Sequence, residues 1–167
     1  MHTVITAADS TTVSGVFFED LSVGQTMESC YSTITQEDIY AFAQLSQDHN
    51  PIHLSPQRAK KAGLPTPIAH GALVFARATG LAWQIGLFRK ANTIFREAHL
   101  KFESFVFAGD SIALRMKVAE LKPLPRIKQG KVVLEVTICN QHGTSVAEYE
   151  WEALVSMQSQ TQEAGKT

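Results

Sequence analysis

The fold depends on one long apolar run, His70-Gly-Ala-Leu-Val-Phe-Ala-Arg-Ala-Thr-Gly-Leu-Ala-Trp-Gln-Ile-Gly86. Its only Lys, Arg, Asp or Glu is Arg77, and apolar side chains fall on nearly every face of the helix that it predicts. Other elements enclose a helix of this kind, because its apolar surface has to be shielded from water on all sides. We therefore expect one long buried helix over about 70–86, with the remainder of the chain packed around it.

The segments upstream of this helix predict shorter elements. Thr35-Gln-Glu-Asp38 matches a capping box and predicts a helix that ends near Ser46. Residues 55–63 predict a second short helix, with Pro56 in its first turn and Gly63 just past its end.

Downstream of the long helix the sequence is β-rich, and apolar and polar residues alternate. Turn residues separate the runs at 109–110, 128–130 and 141–143. We expect four strands over the ranges 93–103, 111–121, 131–139 and 146–155. Together with an early strand and a turn near 23–25, these runs indicate an α+β class, with one central helix packed on a curved antiparallel sheet.

Length and composition are those of one globular domain. The chain has 167 residues, of which 44% are hydrophobic and 19% are charged. The formal net charge of −1 excludes a global basic field that would attract nucleic acid or an anionic membrane. We expect a domain over 15–156, between flexible segments at 1–14 and 157–167.

The signals of cellular location indicate the cytoplasm. Residues 1–14 lack the basic region and apolar run of a signal peptide, and the most membrane-like window, 68–88, contains Arg77. The two cysteines, Cys30 and Cys139, form no CxxC pair and no metal-ligand spacing. We predict a cytoplasmic protein that binds neither a membrane nor a nucleic acid.

The densest polar cluster of the chain is Asp48-His-Asn-Pro-Ile-His53, which Ala69-His-Gly71 follows. A carboxylate, an imidazole and a backbone N–H that can face an oxyanion are the groups needed to move protons around a carbonyl compound. An isolated Asp48 or Asn50 is more simply a turn residue, because Asx side chains satisfy backbone N–H groups beside proline. With His53 and the downstream His-Gly pair in the same chain, we favour the catalytic interpretation.

The chain resembles the MaoC-like, R-specific enoyl-CoA hydratases from about residue 17 to 155. The residues that carry the resemblance are Phe42–His53, Ala59, Ala62-Gly63, Pro67–Leu73 and Phe102–Asp110. The resemblance implies a hot-dog fold, in which a sheet wraps around the 70–86 helix, short helices lie in an inserted overhang at about 36–62, and two such units form a homodimer. Three departures indicate a divergent branch: Gln47 replaces the usual Gly, Ser55 a common acid, and Phe105 the customary Pro.

The resemblance assigns catalytic roles to Asp48 and His53, a supporting role to Asn50 and the backbone oxyanion donor to Gly71. It implies hydration of a 2-enoyl thioester to an (R)-3-hydroxyacyl thioester, or the reverse dehydration. It implies no metal and no redox cofactor; coenzyme A or phosphopantetheine enters as part of the substrate. The oxyanion role requires that the regular helix begin near His70, with 64–69 non-helical, so that the Gly71 N–H is not used inside the helix.

Further residues are candidates for contact with the substrate: His70, Ala72, Thr79 and Arg96. His70 is more simply a structural residue that holds the turn through hydrogen bonds. Arg77 needs a partner, because burying an unpaired charge is very costly; we expect an acid in the dimer interface, or the phosphates or pantetheine of the substrate. The aromatic residues Phe42, Phe75, Trp83 and Phe95 are expected in the core. The cations Arg89, Lys90, Arg96 and Lys101 are either solvated surface or a phosphate site.

Three alternative functions remain open from the sequence. A dehydratase that acts on an acyl-carrier-protein-bound intermediate of fatty acid or polyketide assembly would use the same residues. A hot-dog thioesterase also needs a carboxylate, but the paired Asp-x-Asn-Pro-x-His and His-Gly segments argue against it. A non-catalytic acyl-thioester binding protein that retains the fold is the third alternative, and the departures at Gln47 and Ser55 keep it open.

Overall fold

A computed structural model of the chain describes residues 4–6, 15–89 and 93–158, with only the backbone described at 4–6. Among the described residues are four α-helices: α1 (Gln36–Ser46), α2 (Pro51–Leu54), α3 (Pro56–Lys61) and α4 (Gly71–Gln84). The strands are β1 (Val4–Thr6), β2 (Thr26–Glu28), β3 (Ser32–Thr33), β4 (Ile94–Phe102), β5 (Ser111–Leu124), β6 (Gln129–Asn140) and β7 (Ser145–Ser156).

The strands form one sheet in the order β1-β2-β5-β6-β7-β4, and β3 pairs with β5 beside β2. All neighbours are antiparallel except β1 and β2, which are parallel. β5, β6 and β7 form the predicted meander, and β4 occupies the far edge. The predicted α+β class is confirmed.

Helix α4 lies against the inner face of the sheet, as predicted, but the described residues do not enclose it on every side, since Ala76, Gly80 and Trp83 are exposed. It buries Leu73, Val74, Ala78, Leu81 and Ala82, which share one hydrophobic core with inward-facing strand residues. Its end is a Schellman motif: the Leu87 N–H donates to the Ala82 carbonyl, the Gly86 N–H donates to the Trp83 carbonyl, and Gly86 has a φ of +100°. This cap places the last helical residue at Gln84, two residues before the predicted end. Trp83 was expected in the core, but its side chain points outward and is 50% exposed.

The overhang contains the three short helices between β3 and α4. Thr35 and Asp38 form the predicted reciprocal capping box at the start of α1, which ends at Ser46 as expected. Asn50 caps the single turn of α2, Ser55 caps α3, and Gly63 follows α3 with a φ of +81°. These local caps explain why α2 and α3 form although each is too short to be stable in isolation.

One turn prediction needs correction. The turn expected at 128–130 lies earlier, over a 3-10 turn at Pro125–Ile127 and Lys128, and residues 129 and 130 already belong to β6. Gly130 packs beneath Phe18, whose ring would overlap any Cβ at position 130.

Within the predicted flexible N-terminal segment, β1 is described; the remainder of that segment, and the tail beyond 158, lie outside the described residues. None of the described helices is both long and apolar enough to cross a bilayer.

Candidate active site

Asp48 lies in the connection between α1 and α2, and local hydrogen bonds set its conformation. Gln47 ends α1 in the left-handed region, with a φ of +63°, and turns the chain away from the helix axis. The Ser46 hydroxyl accepts from the Asp48 N–H at 3.2 Å, and Asp48 Oδ1 accepts from the Asn50 N–H at 3.1 Å. The second carboxylate oxygen, Oδ2, accepts no hydrogen bond from the described residues and remains available to a water molecule or a substrate.

His53 lies on α2, and a backbone carbonyl fixes its ring. Asn50 Oδ1 accepts from the Ile52 N–H at 3.2 Å and so determines where α2 begins. His53 Nδ1 lies 2.8 Å from the Ile68 carbonyl oxygen. Because a carbonyl can only accept, Nδ1 carries a proton, and Nε2 is the nitrogen left for proton exchange.

The buried ring of His70 contacts both Asp48 and His53. Its Nε2 donates to the Asp48 carbonyl oxygen at 3.0 Å, and its ring stacks on His53 with centroids 3.8 Å apart and planes 28° apart. Phe42 covers another side of the ring at 5.2 Å, and His70 is only 2% exposed. This burial favours the structural role predicted for His70 and leaves little surface for the substrate contact that was the alternative.

The three side chains form one polar cluster. A carboxylate oxygen of Asp48 and one ring nitrogen each of His53 and His70 lie within 4.8 Å of one another. One nitrogen of each ring donates to a backbone carbonyl, and groups this close together can share one water molecule.

Gly71 and Ala72 present open backbone donors at the start of α4. His70 is the N-cap, residues 64–69 are non-helical, and the first helix bonds run from Leu73 and Val74 to the His70 carbonyl. Neither the Gly71 N–H nor the Ala72 N–H finds a backbone acceptor among the described residues. The predicted helix start is therefore confirmed. The 14-residue helix also adds its positive N-terminal dipole at this point.

The ring of Phe102 covers Gly71, an arrangement that the sequence did not indicate. A Cβ at position 71 would lie 2.9 Å from Phe102 Cζ and 3.1 Å from Cε1 and Cε2. Phe102 is 49% exposed and packs edge-on against Tyr149, with centroids 6.0 Å apart. This ring gives a structural reason for glycine at position 71, because it occupies the space that a Cβ would need.

Comparison with known proteins places the chain in a family. The family model of the MaoC-like domain matches residues 20–139. The chain belongs to the MaoC-like domain family. It is 34% identical over 140 residues to the (R)-specific enoyl-CoA hydratase of Rhodospirillum rubrum, covering 83% of this chain and 91% of that protein.

Solved structures agree with the family and the fold of this MaoC-like domain. The R-hydratase PhaJ1 from Pseudomonas aeruginosa, solved without ligand, is 29% identical with a TM-score of 0.73, and the match covers 92% of this chain and 96% of that one. A Mycobacterium tuberculosis protein with a double hot-dog fold is 24% identical with a TM-score of 0.76, over 90% of this chain and 47% of that one. The predicted hot-dog fold is confirmed.

Arg77 of the MaoC-like domain pairs within its own chain, so the prediction of a partner in a dimer interface or on the substrate was wrong. Its guanidinium lies 2.8 Å from Asp38 Oδ1 and donates to the Ser32 hydroxyl at 3.1 Å. Partial burial by itself raises the pKa of Asp38, but the hydrogen bond from the Thr35 N–H and the charge of Arg77 outweigh it and hold that pKa below its usual value. Arg77 thus fastens the overhang to the central helix.

The remaining candidates, Thr79 and Arg96, contact α4 itself and strand β7. The Thr79 hydroxyl donates to the Ala76 carbonyl of its own helix at 2.8 Å. Arg96 approaches Glu152 at 4.0 Å and lies six residues, about 20 Å, along β4 from Phe102. Of the predicted basic cluster, Lys101 pairs with Glu103 at 2.6 Å and Lys90 lies outside the described residues. Arg96 and Lys101 therefore each have an acidic neighbour, and a phosphate site at this cluster stays a prediction.

Proposed function

We propose that this MaoC-like domain is a hydro-lyase that reversibly hydrates a 2-enoyl thioester to the (R)-3-hydroxyacyl thioester. The observation that carries the proposal is the Asp48 carboxylate, held within 4.8 Å of a His53 ring nitrogen, next to the open N–H of Gly71 at the start of α4. The activity named for the Rhodospirillum rubrum relative supports it.

Asp48 and His53 share one water molecule in the proposed reaction. As the water oxygen bonds to C3 of the enoyl chain, Asp48 accepts one of its protons. His53 begins as the imidazolium, with a proton on each ring nitrogen, and donates its Nε2 proton to C2. A proton passing from Asp48 to the neutral ring then restores the starting state. The Nδ1–H bond to the Ile68 carbonyl keeps Nε2 directed to exchange in both charge states of the ring. General acid–base help of this kind contributes about 10²–10⁴-fold per group.

The N–H of Gly71 stabilises the negative charge that develops on the thioester oxygen. Its donor is fixed before the reaction by the start of α4, and the helix dipole adds to it. Removal of one such donor typically costs about 10²–10³-fold in kcat. The half-exposed ring of Phe102 supplies an apolar wall beside this donor and limits its access to bulk water.

The active form is a homodimer joined along β4. This strand is the edge of the sheet, and an unpaired edge strand is a template for pairing with another chain. Leu100 and Phe102 on β4 and Phe105 just beyond it are 42%, 49% and 57% exposed. A Leu100→Lys variant should sediment as a monomer of 18.4 kDa, whereas the wild type should have twice that mass. A control, Val23→Lys at another exposed apolar residue, should remain dimeric.

The test of the reaction is the loss of enoyl-thioester absorbance with crotonyl-CoA, measured for the wild type, Asp48→Asn and His53→Ala. Both variants should lose at least about 10²-fold in kcat. His142→Ala is the matched control, because His142 is exposed in the turn between β6 and β7 and its side chain contacts only Gln141 among the described residues; it should keep wild-type activity. Circular dichroism and unfolding curves check that the variants are folded.

The outcomes separate the alternatives. Release of free thiol would instead indicate a thioesterase. Activity only on a carrier-protein-bound thioester would indicate the dehydratase of carrier-bound intermediates. Retention of more than a tenth of wild-type kcat by Asp48→Asn would contradict the acid–base assignment.

A further inference from the structure

The ring of His70 is held on two sides and has a defined tautomer. It stacks on His53 with centroids 3.8 Å apart and lies 5.2 Å from Phe42. Its Nε2 lies 3.0 Å from the Asp48 carbonyl oxygen, which can only accept, so Nε2 carries a proton. Its Nδ1 is buried and has no hydrogen-bond partner among the described residues. A second proton there would be a buried N–H without an acceptor, so the geometry favours a neutral ring, which can lie against His53 in either charge state of the latter.

Asp48 has only local hydrogen bonds apart from the one that His70 donates. The Asp48 N–H donates to the Ser46 hydroxyl, and Asp48 Oδ1 accepts from the Asn50 N–H. Both partners lie two residues away, so these bonds fix the shape of the connection between α1 and α2 but not its place relative to α4. Among the described hydrogen bonds, the one from His70 alone joins Asp48 to a residue outside this connection.

His53 depends less on His70 than Asp48 does. It belongs to α2, and its Nδ1–H donates to the Ile68 carbonyl at 2.8 Å. Without the His70 ring, His53 would lose a stacking surface but keep this bond to the segment that precedes α4. Loss of the His70 donor should therefore displace Asp48 more than His53.

The backbone of His70 has a separate role from its side chain. The His70 carbonyl accepts from the Leu73 and Val74 N–H groups at the start of α4, and the side chain makes no cap bond. A change of the side chain therefore leaves the helix start in place, and with it the open N–H of Gly71.

We propose that His70 is a positioning residue, which holds Asp48 in place for proton exchange through the Nε2–H bond to the Asp48 carbonyl. The inference rests on the proposed function, in which Asp48 accepts a proton from water. Misplacement of a reacting group by about 1 Å can cost on the order of 10²-fold in rate, so a bond that fixes the Asp48 backbone affects kcat. The N–H of Gly71 does not depend on this bond, so KM should change little.

Two variants separate the donor from the ring. His70→Phe keeps a ring that can stack on His53 and removes the donor, whereas His70→Gln keeps an N–H donor near the position of Nε2 and removes the ring. With crotonyl-CoA, His70→Phe should lower kcat at least about tenfold and change KM by less than about twofold. His70→Gln should keep kcat within about threefold of the wild type. In an Asp48→Asn background, His70→Phe should lower kcat by less than about twofold, because its effect passes through the carboxylate.

Hydrogen exchange of single amides, measured by NMR, reports on the position of Asp48 without any turnover. The Asn50 N–H donates to Asp48 Oδ1, so its exchange should be at least about threefold faster in His70→Phe and should stay near the wild-type rate in His70→Gln. The control amide is that of Asp38 at the other end of α1, which also donates to a side-chain oxygen, that of Thr35. Its exchange rate should not change in either variant.

Ile138→Val is the control for a general loss of packing, because it removes a buried methyl group from the same core on β6. It should keep the wild-type kcat and the wild-type exchange rate at Asn50.

A His70→Phe variant that keeps more than about half of the wild-type kcat and the wild-type exchange rate at Asn50 would overturn the inference. So would a His70→Gln variant that is as impaired as His70→Phe, or an equal acceleration of exchange at Asn50 and Asp38, which would indicate a general loss of structure. A wild type without crotonyl-CoA turnover would count against the proposed function, and the exchange rate at Asn50 would then decide the inference by itself.

Discussion

The contact between Gly71 and Phe102 leads to a double-mutant prediction for stability. In Gly71→Ala, the new Cβ lies 2.9–3.1 Å from three ring atoms of Phe102. Carbon atoms pack best at about 3.5–4.0 Å, so the ring has to retreat by roughly half an ångström or more. Overpacking costs about 1–3 kcal/mol, and the lower half of that range applies because the half-exposed ring can move toward solvent.

The single variant does not isolate this cost, because alanine also restricts the unfolded chain and stabilises by about 0.4–1 kcal/mol. A cycle with Phe102→Ala removes that contribution, since it is present with and without the ring. We expect Gly71→Ala to be less favourable in the wild type than in Phe102→Ala by about 1–2 kcal/mol. Urea unfolding of the four proteins measures this coupling free energy.

A matched control tests whether the coupling is specific to the contact. Gly80→Ala on the same helix meets open space, so it should stabilise by about 1 kcal/mol and show no coupling to Phe102. A coupling below about 0.5 kcal/mol for Gly71→Ala would lie within ordinary additivity and would refute the argument that the ring requires glycine at this position.

Three further changes test other contacts. Arg77→Met should lower the free energy of unfolding by about 1 kcal/mol at pH 7, because it removes the ion pair with Asp38. The folded pKa of the Asp38 carboxyl is lowered, so the contribution of the ion pair is present above the unfolded pKa of about 3.9 and is lost as the pH falls below it. The urea midpoints of wild type and variant should therefore converge at that low pH. Tyr149→Phe should raise the free energy of unfolding by about 1 kcal/mol, because the Tyr149 hydroxyl is buried without a hydrogen-bond partner among the described residues, and the same burial raises its pKa. Thermal unfolding measures the change, and a loss of stability would show that a water molecule bonds the hydroxyl. Gln47→Gly should stabilise by about 0.5–1 kcal/mol, because glycine tolerates the φ of +63°. A lower unfolding midpoint would show that the hydrogen bond from the Gln47 side chain to the Gln44 carbonyl matters more than the backbone strain.

Much of the fold could be predicted because its signals are local. The capping box at Thr35, the apolar composition of the central helix and the alternation of β5 to β7 depend on residues a few positions apart. The candidate site was also partly local: Asp48, Asn50 and His53 lie within six consecutive positions, and the oxyanion role predicted for Gly71 required that α4 begin next to His70. Their roles in catalysis stay a proposal.

The contacts between segments far apart in the chain could not be predicted from the sequence and became known only from the tertiary structure. His70 reaches the Asp48 carbonyl across 22 positions, His53 reaches the Ile68 carbonyl across 15, and Arg77 finds Asp38 in the overhang. Phe102 arrives at Gly71 from the edge strand, and Trp83 faces outward because the sheet covers only the other side of α4. Periodicity shows which face of an element is apolar, but the partner of that face depends on how the whole chain packs, and no local pattern carries that information.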